Sequence, residues 1–160
     1  MNIELVFQTV IVGIGATLFM DLWSLFQKHI VGIAPLNYAL VGRWILWLPR
    51  GKLQHHTILS TPQMRGEMCT GWTFHYVTGI VFSAVPLVLN GTDWFREPTL
   101  VTGGLTGLLT LSAPFLILQP ALGFGVAASH TSRPWLSRTL SLLTHLVYGL
   151  GLYIAASLLV

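Results

Sequence analysis

The sequence predicts an all-α integral membrane protein, a bundle of four transmembrane helices, and three observations carry that prediction. Of 160 residues, 53% are hydrophobic and 8% are charged, whereas a soluble domain carries about 25% charged residues to cover its surface. The mean hydropathy is +0.71. The apolar residues also gather into four runs, 5–26, 70–89, 99–118 and 139–160, each 20 to 22 residues long. At about 1.5 Å per residue such a run spans roughly 30 Å as a helix, the thickness of a bilayer's hydrocarbon core. Inside lipid every backbone amide must find its partner within the segment, so these runs are predicted to be helices. Residues 1–160 are expected to form a single membrane domain, with no room for a further soluble one.

The first run holds one charge, Asp21, and begins beside Glu4 with no Lys or Arg ahead of it. No cleavage pattern of small residues follows, so it is expected to be a retained span and not a signal peptide. The stretch 30–48 is apolar but interrupted by Pro35 and Arg43. The part after the proline, about 36–48, would cover only about 20 Å as a helix, which predicts a re-entrant or interfacial helix instead of a crossing. The second run carries His75 and no formal charge. The third carries neither, and Pro114 is expected to kink it, with Ser112 placed to satisfy a freed carbonyl. The fourth carries His145.

Orientation follows from Lys and Arg. With four spans, one side holds Lys28, Arg43, Arg50, Lys52, Arg65, Arg133 and Arg138, and the other only Arg96. Seven against one predicts that the two basic loops are cytoplasmic and both termini periplasmic. A fifth span through 30–48 would reduce the contrast to five against two. Trp44, Trp47, Trp72 and Trp135 fall near the expected cytoplasmic boundary and Trp94 near the outer one, as interfacial anchors would.

The net charge of +3 is spread along the chain, with aromatics inside the apolar runs. The expected partners are therefore the lipid bilayer, with anionic lipid at the cytoplasmic basic loops, and a second copy in self-association, but not nucleic acid. Cys69 is the only cysteine, so an internal disulfide and the cysteine-pair metal motifs are excluded. His55 and His56, in the basic loop, are expected to be solvated. Asn90, Gly91 and Thr92 match a glycosylation acceptor that a turn explains equally well.

The candidate intramembrane polar site comprises Asp21, His75 and His145. An ionisable group in lipid costs a few kcal/mol and needs a partner. Each of the three is seven or eight residues from a boundary charge, so all are expected about 10 to 12 Å inside the cytoplasmic edge, where they could share a plane. His75 to Gly79 and His145 to Gly149 both read H-x-V-x-G. A glycine four residues after the histidine sits on the same helix face and admits a close neighbour. Gly79 and Gly149, together with Gly103 and Gly107 of a G-x-x-x-G in the third run, are the expected helix-packing residues. No catalytic residue is assigned, because the nucleophile elbow, phosphate loop, H-E-x-x-H and paired-carboxylate patterns are all missing.

The residues Gly15 to Thr17 with Met20 to Trp23, Gly71 and Trp72 with His75 and Tyr76, and Gln119, Pro120, Gly123 and Gly125 ahead of Arg138 and His145 resemble an uncharacterised bacterial polytopic membrane protein family, domain of unknown function 2938. The resemblance covers nearly the whole chain. It implies a bacterial inner-membrane protein with no assigned activity, and it carries over no catalytic residues.

Three functions fit these residues. The favoured one is a non-enzymatic structural or accessory membrane protein. The second is a small oligomeric transporter or permeation unit using Asp21, His75 and His145. The third is a membrane enzyme with haem or a divalent metal at His75 and His145. No cofactor is expected on the first two.

Overall fold

The computed structural model describes residues 3–160. Helices, turns and irregular segments make up the described residues, with no strand among them. Helix α1 covers Ile3–Phe26 and passes into a π-helical turn, Gln27–Val31, which ends where Gly32 takes the left-handed conformation and returns its N–H to the Gln27 carbonyl. Helix α2 is Tyr38–Trp47, α3 is Glu67–Phe82, α4 is Val85–Asn90 and α5 is Leu100–Thr110. A second π turn, Pro114–Leu118, leads into the short α6, Gln119–Ala121, and α7 closes the series over Pro134–Ser157.

Among the described residues, four helical stretches are long and apolar enough to cross a membrane: Ile3–Val31, Glu67–Asn90, Leu100–Ala121 and Pro134–Ser157. They match the four runs expected from the sequence. Only 17% to 28% of each apolar window is buried within the protein, so most residues of each span keep some surface open to their surroundings, as helices in contact with lipid do. The 10 residues of α2 extend about 15 Å, too short to cross. The reason is local: Pro35 sits in an extended stretch, and Asn37 caps the helix by accepting the Ala39 N–H at 3.0 Å, so helix starts only at Tyr38. Pro114 does disturb the third span, as a π turn beginning at the proline. The fourth span starts earlier than its apolar run, because Pro134 suits the first helical turn, where its missing N–H has no partner to lose.

Packing divides the chain into two compact units. The first comprises residues 1–35, 76–110 and 142–160. Its helices put small residues inside and large apolar ones outside. On α1 the buried residues are Val12, Gly13, Ala16 and Thr17, while Phe7, Ile14, Leu18, Leu22 and Leu25 are exposed. This inverts the pattern of a soluble helix, because lipid solvates leucine and only close backbone approach holds the helices together. A Cβ on Gly79 would overlap Thr17, one on Gly13 would overlap the Ile80 backbone, and Gly103 and Gly149 each occupy the space a side chain on the other would need. Gly107 lies in the same way against the His145 carbonyl. Trp94, expected as an interfacial anchor, is only 2% exposed and packs edge-on to Phe95 in a core with Val12, Ala16, Tyr148 and Leu152.

The second unit comprises residues 36–75 and 111–141. Here α2 lies directly on the first turns of α3, because Gly42 and Gly71 leave no Cβ between the helix backbones. Arg43 is buried and forks onto Glu67, with Nε to Oε2 at 2.8 Å and Nη2 to Oε1 at 2.9 Å. Its Nη1 donates to the carbonyls of Ile58 and Thr61. One guanidinium thereby ties α2, the segment 58–61 and the start of α3 together. Glu67 holds Arg43 above its ordinary pKa, outweighing the opposite pull of burial.

Candidate functional site

Each ionisable residue expected within the spans meets a polar partner from another helix. In the first unit, Tyr76 of α3 donates its hydroxyl hydrogen to Asp21 Oδ2 of α1 at 2.9 Å. His145 Nδ1 of α7 lies 3.0 Å from Thr110 Oγ1 of α5. Two further bonds join helices of this unit through backbone carbonyls: Ser83 Oγ donates to Thr9 at 2.7 Å, and Tyr148 OH to Gly79 at 2.6 Å. His75 belongs to the second unit, where its Nε2 lies 3.0 Å from the Tyr38 hydroxyl of α2. Its ring packs against Tyr38, with centroids 4.3 Å apart, and lies edge-on to Trp72. Among the described residues, no group of three His, Cys, Asp or Glu side chains is placed to hold a metal ion. The partners Tyr38, Tyr76 and Thr110 escaped the sequence reading, since a neutral hydroxyl in an apolar run gives no signal without knowledge of which helix it faces.

The second unit also contains a cavity of about 750 Å³ in the segments between spans. Its polar wall is formed by Gln54, His55, His56, His130, Thr131 and Ser132, and its apolar wall by Leu59 and Phe124. His56 and His130 are exposed. His55, expected in solvent, is only 6% exposed. It is drawn in because its segment docks on the end of α6: His55 N–H donates to the Ala121 carbonyl and Ile58 N–H to the Leu122 carbonyl, both at 2.9 Å.

Thr61 Oγ1 lies 3.0 Å from His55 Nδ1 and 3.1 Å from the Thr57 carbonyl, within hydrogen-bond reach of both. The ring's Nε2 is buried with no protein partner. Burial lowers the His55 pKa from its ordinary value, and the nearby charge of Lys52 lowers it further.

The opposite wall is held in an unusual backbone shape. Ala127 and Ala128 both have positive φ, 48° and 59°, at a cost of about 1 to 3 kcal/mol each for non-glycine residues. Arg138 Nε donates to the Ala127 carbonyl at 2.8 Å, and His130 N–H to the Phe124 carbonyl at 2.9 Å, which stabilise the turn. Gly123 and Gly125 also have positive φ, and a Cβ on them would overlap the His56 carbonyl and the His130 ring respectively. Only glycine allows the wall to approach these two histidines so closely. The Gly-Phe-Gly sequence was the one local sign of this turn.

Four apolar spans, small-residue contacts and internally paired polar groups define a polytopic α-helical membrane protein. The family described as "Protein of unknown function (DUF2938)" matches residues 10–159, and the chain belongs to it. No curated protein and no solved structure matches the chain.

Proposed function

We propose that the chain is a non-enzymatic accessory protein of a bacterial inner membrane, a single membrane domain whose helical scaffold displays the segments between its spans to a partner or to lipid. The carrying observation is that Asp21, His75 and His145 each engage a hydroxyl on another helix, at 2.9 to 3.0 Å. Polar groups engaged in this way hold helices in register, each contributing about 0.6 to 2 kcal/mol in a membrane. The basic segments suit a cytoplasmic, anionic leaflet: Arg50 and Lys52 each sit 5.1 Å from the Trp47 ring centre, and Arg138 lies 5.0 Å from that of Trp135. Cation and aromatic ring then reach the headgroup level together. Both termini are periplasmic on this reading.

The test combines function and topology. His75→Ala and His145→Ala are expected to lower stability or assembly and to leave the purified protein without visible absorbance or bound metal, as wild type. Stoichiometric haem or metal in wild type, lost in either variant, would replace the accessory reading with the redox one. Proton or cation flux in vesicles that Asp21→Asn abolishes in a folded protein would replace it with the transport reading. Cysteine placed at His29, in a Cys69→Ser background, is expected to resist an impermeant reagent applied to intact cells.

A further inference from the structure

The formal charges are divided unevenly between the two units. The second unit carries six Lys or Arg residues, and its one carboxylate, Glu67, is taken up by Arg43. Arg50, Lys52, Arg65, Arg133 and Arg138 are left over, a surplus of five positive charges with no further acidic residue to oppose them. The first unit has four acidic residues against two basic ones, a surplus of two negative charges.

The cavity of the second unit lies where the positive surplus converges. Lys52 is near enough to one wall for its charge to act on His55. On the other wall Arg133 directly follows Ser132 in the chain, and Arg138 is fastened through its Nε to the Ala127 carbonyl, in the turn that carries this wall. Among the described lining residues there is no Asp or Glu, so an anion entering the cavity meets attraction from both sides and no carboxylate in the wall. The exposed rings of His56 and His130 and the hydroxyl of Ser132 line it and supply N–H and O–H donors. No hydrogen bond within the described residues engages these three side chains. The volume, about 750 Å³, far exceeds a bare ion and falls in the range of about 300 to 1,000 Å³ usual for organic ligands. Leu59 and Phe124 make part of the wall apolar. Leu53, Val126 and Trp135, close in sequence to the cations, are exposed, and such mixing of apolar and basic side chains suits the headgroup layer of an anionic membrane.

We propose that this cavity binds the phosphate group of an anionic ester, carried by a phospholipid headgroup or free in solution, with the phosphate oxygens accepting from His56, His130 and Ser132. Lys52, Arg133 and Arg138 supply the charge that draws the anion in, and the imidazole and hydroxyl donors fix its place. The site rests on the accessory reading and sharpens it. That reading needs only a general attraction between basic segments and an anionic leaflet, whereas the cavity holds one phosphate at a defined position.

The test follows the ring signals of the full chain, labelled with ¹⁵N-histidine, in phosphatidylcholine nanodiscs. Phosphatidylglycerol doped into the bilayer is the lipid-borne phosphate, and glycerol 1-phosphate added in solution is the free one. The expected result is a saturable shift of the His56 and His130 signals, with His75 and His145 of the spans unmoved. Response to phosphatidylglycerol alone assigns a headgroup, and response to glycerol 1-phosphate, with or without the lipid, assigns the free ester. Two charge-matched variants separate a site from diffuse attraction. Ser132→Glu puts a negative charge in the wall, and Gln63→Glu puts the same charge at an exposed position of the same unit outside the lining. The first should weaken binding about tenfold or more and the second less than about twofold, while His75 and His145 keep their wild-type signals in both. Arg133→Gln, at the flank of the cavity, gives a second reading and should weaken binding about threefold. No saturable shift with either phosphate, or equal weakening in Ser132→Glu and Gln63→Glu, would overturn the site. The accessory reading would survive that result, since it falls to bound haem, bound metal or ion flux instead.

Discussion

Replacing Arg43 by methionine isolates the fork that anchors the second unit. The substitution removes both bonds to Glu67 and both carbonyl contacts of Nη1, and it leaves the Glu67 carboxylate with the Met64 amide at 3.0 Å. The side chains of Arg43 and Glu67 are 6% and 14% exposed, so water replaces little of what is lost. Breaking a buried pair from one side costs about 3 to 5 kcal/mol, since the remaining charge stays desolvated. Replacing both, as Arg43→Met with Glu67→Leu, removes that stranded charge, and the double variant is expected to lose less than either single one. Unfolding is followed by circular dichroism in mixed micelles of increasing denaturing detergent. An Arg43→Met loss below about 1 kcal/mol, or a double variant as costly as the two singles added, would refute a buried pair.

Three further outcomes follow from particular contacts. Gly149→Val, which collides with the Gly103 backbone, should cost about 1 to 3 kcal/mol or more, whereas Gly104→Ala, which meets open space, should stay within about 1 kcal/mol of wild type; detergent-dependent unfolding compares them. Tyr76→Phe removes the donor to Asp21 and should cost about 1 to 3 kcal/mol, with Asp21→Asn recovering less than it loses in the same assay. His55 binds its proton less readily folded than unfolded, so its contribution to stability is complete above the ordinary value of 6.5 and falls as the pH drops below it toward the folded value. Unfolding measured on either side of that value should show the loss, and His55→Gln should flatten it.

Much of the architecture is legible in residue order. The bilayer's thickness dictates the length of a span, so the four runs needed no knowledge of their neighbours to be read as crossings. Pro35 and Arg43 marked the stretch that does not cross, and Asn37 accounts for where α2 begins. The packing glycines stood out because close approach in lipid demands small residues at helical spacing. Other features depended on contacts between distant segments. Trp94 has the composition of an anchor, and only the packing of Val12, Tyr148 and Leu152 around it makes it core. His55 and His56 are adjacent and chemically identical, yet the first is buried and the second exposed, because backbone bonds to Ala121 and Leu122 turn one inward.

The sequence by itself determined that this chain is helical and crosses a membrane, because a solvent without hydrogen-bonding partners leaves a 20-residue apolar run no other stable form. Tertiary structure decided which hydroxyl meets each ionisable group of the spans and which histidine loses its solvent. Those outcomes rest on pairings such as Asp21 with Tyr76 and His55 with Thr61. The first pair is separated by 55 residues and the second by 6, but both are settled by how the chain folds back on itself, which no local pattern of apolar residues encodes.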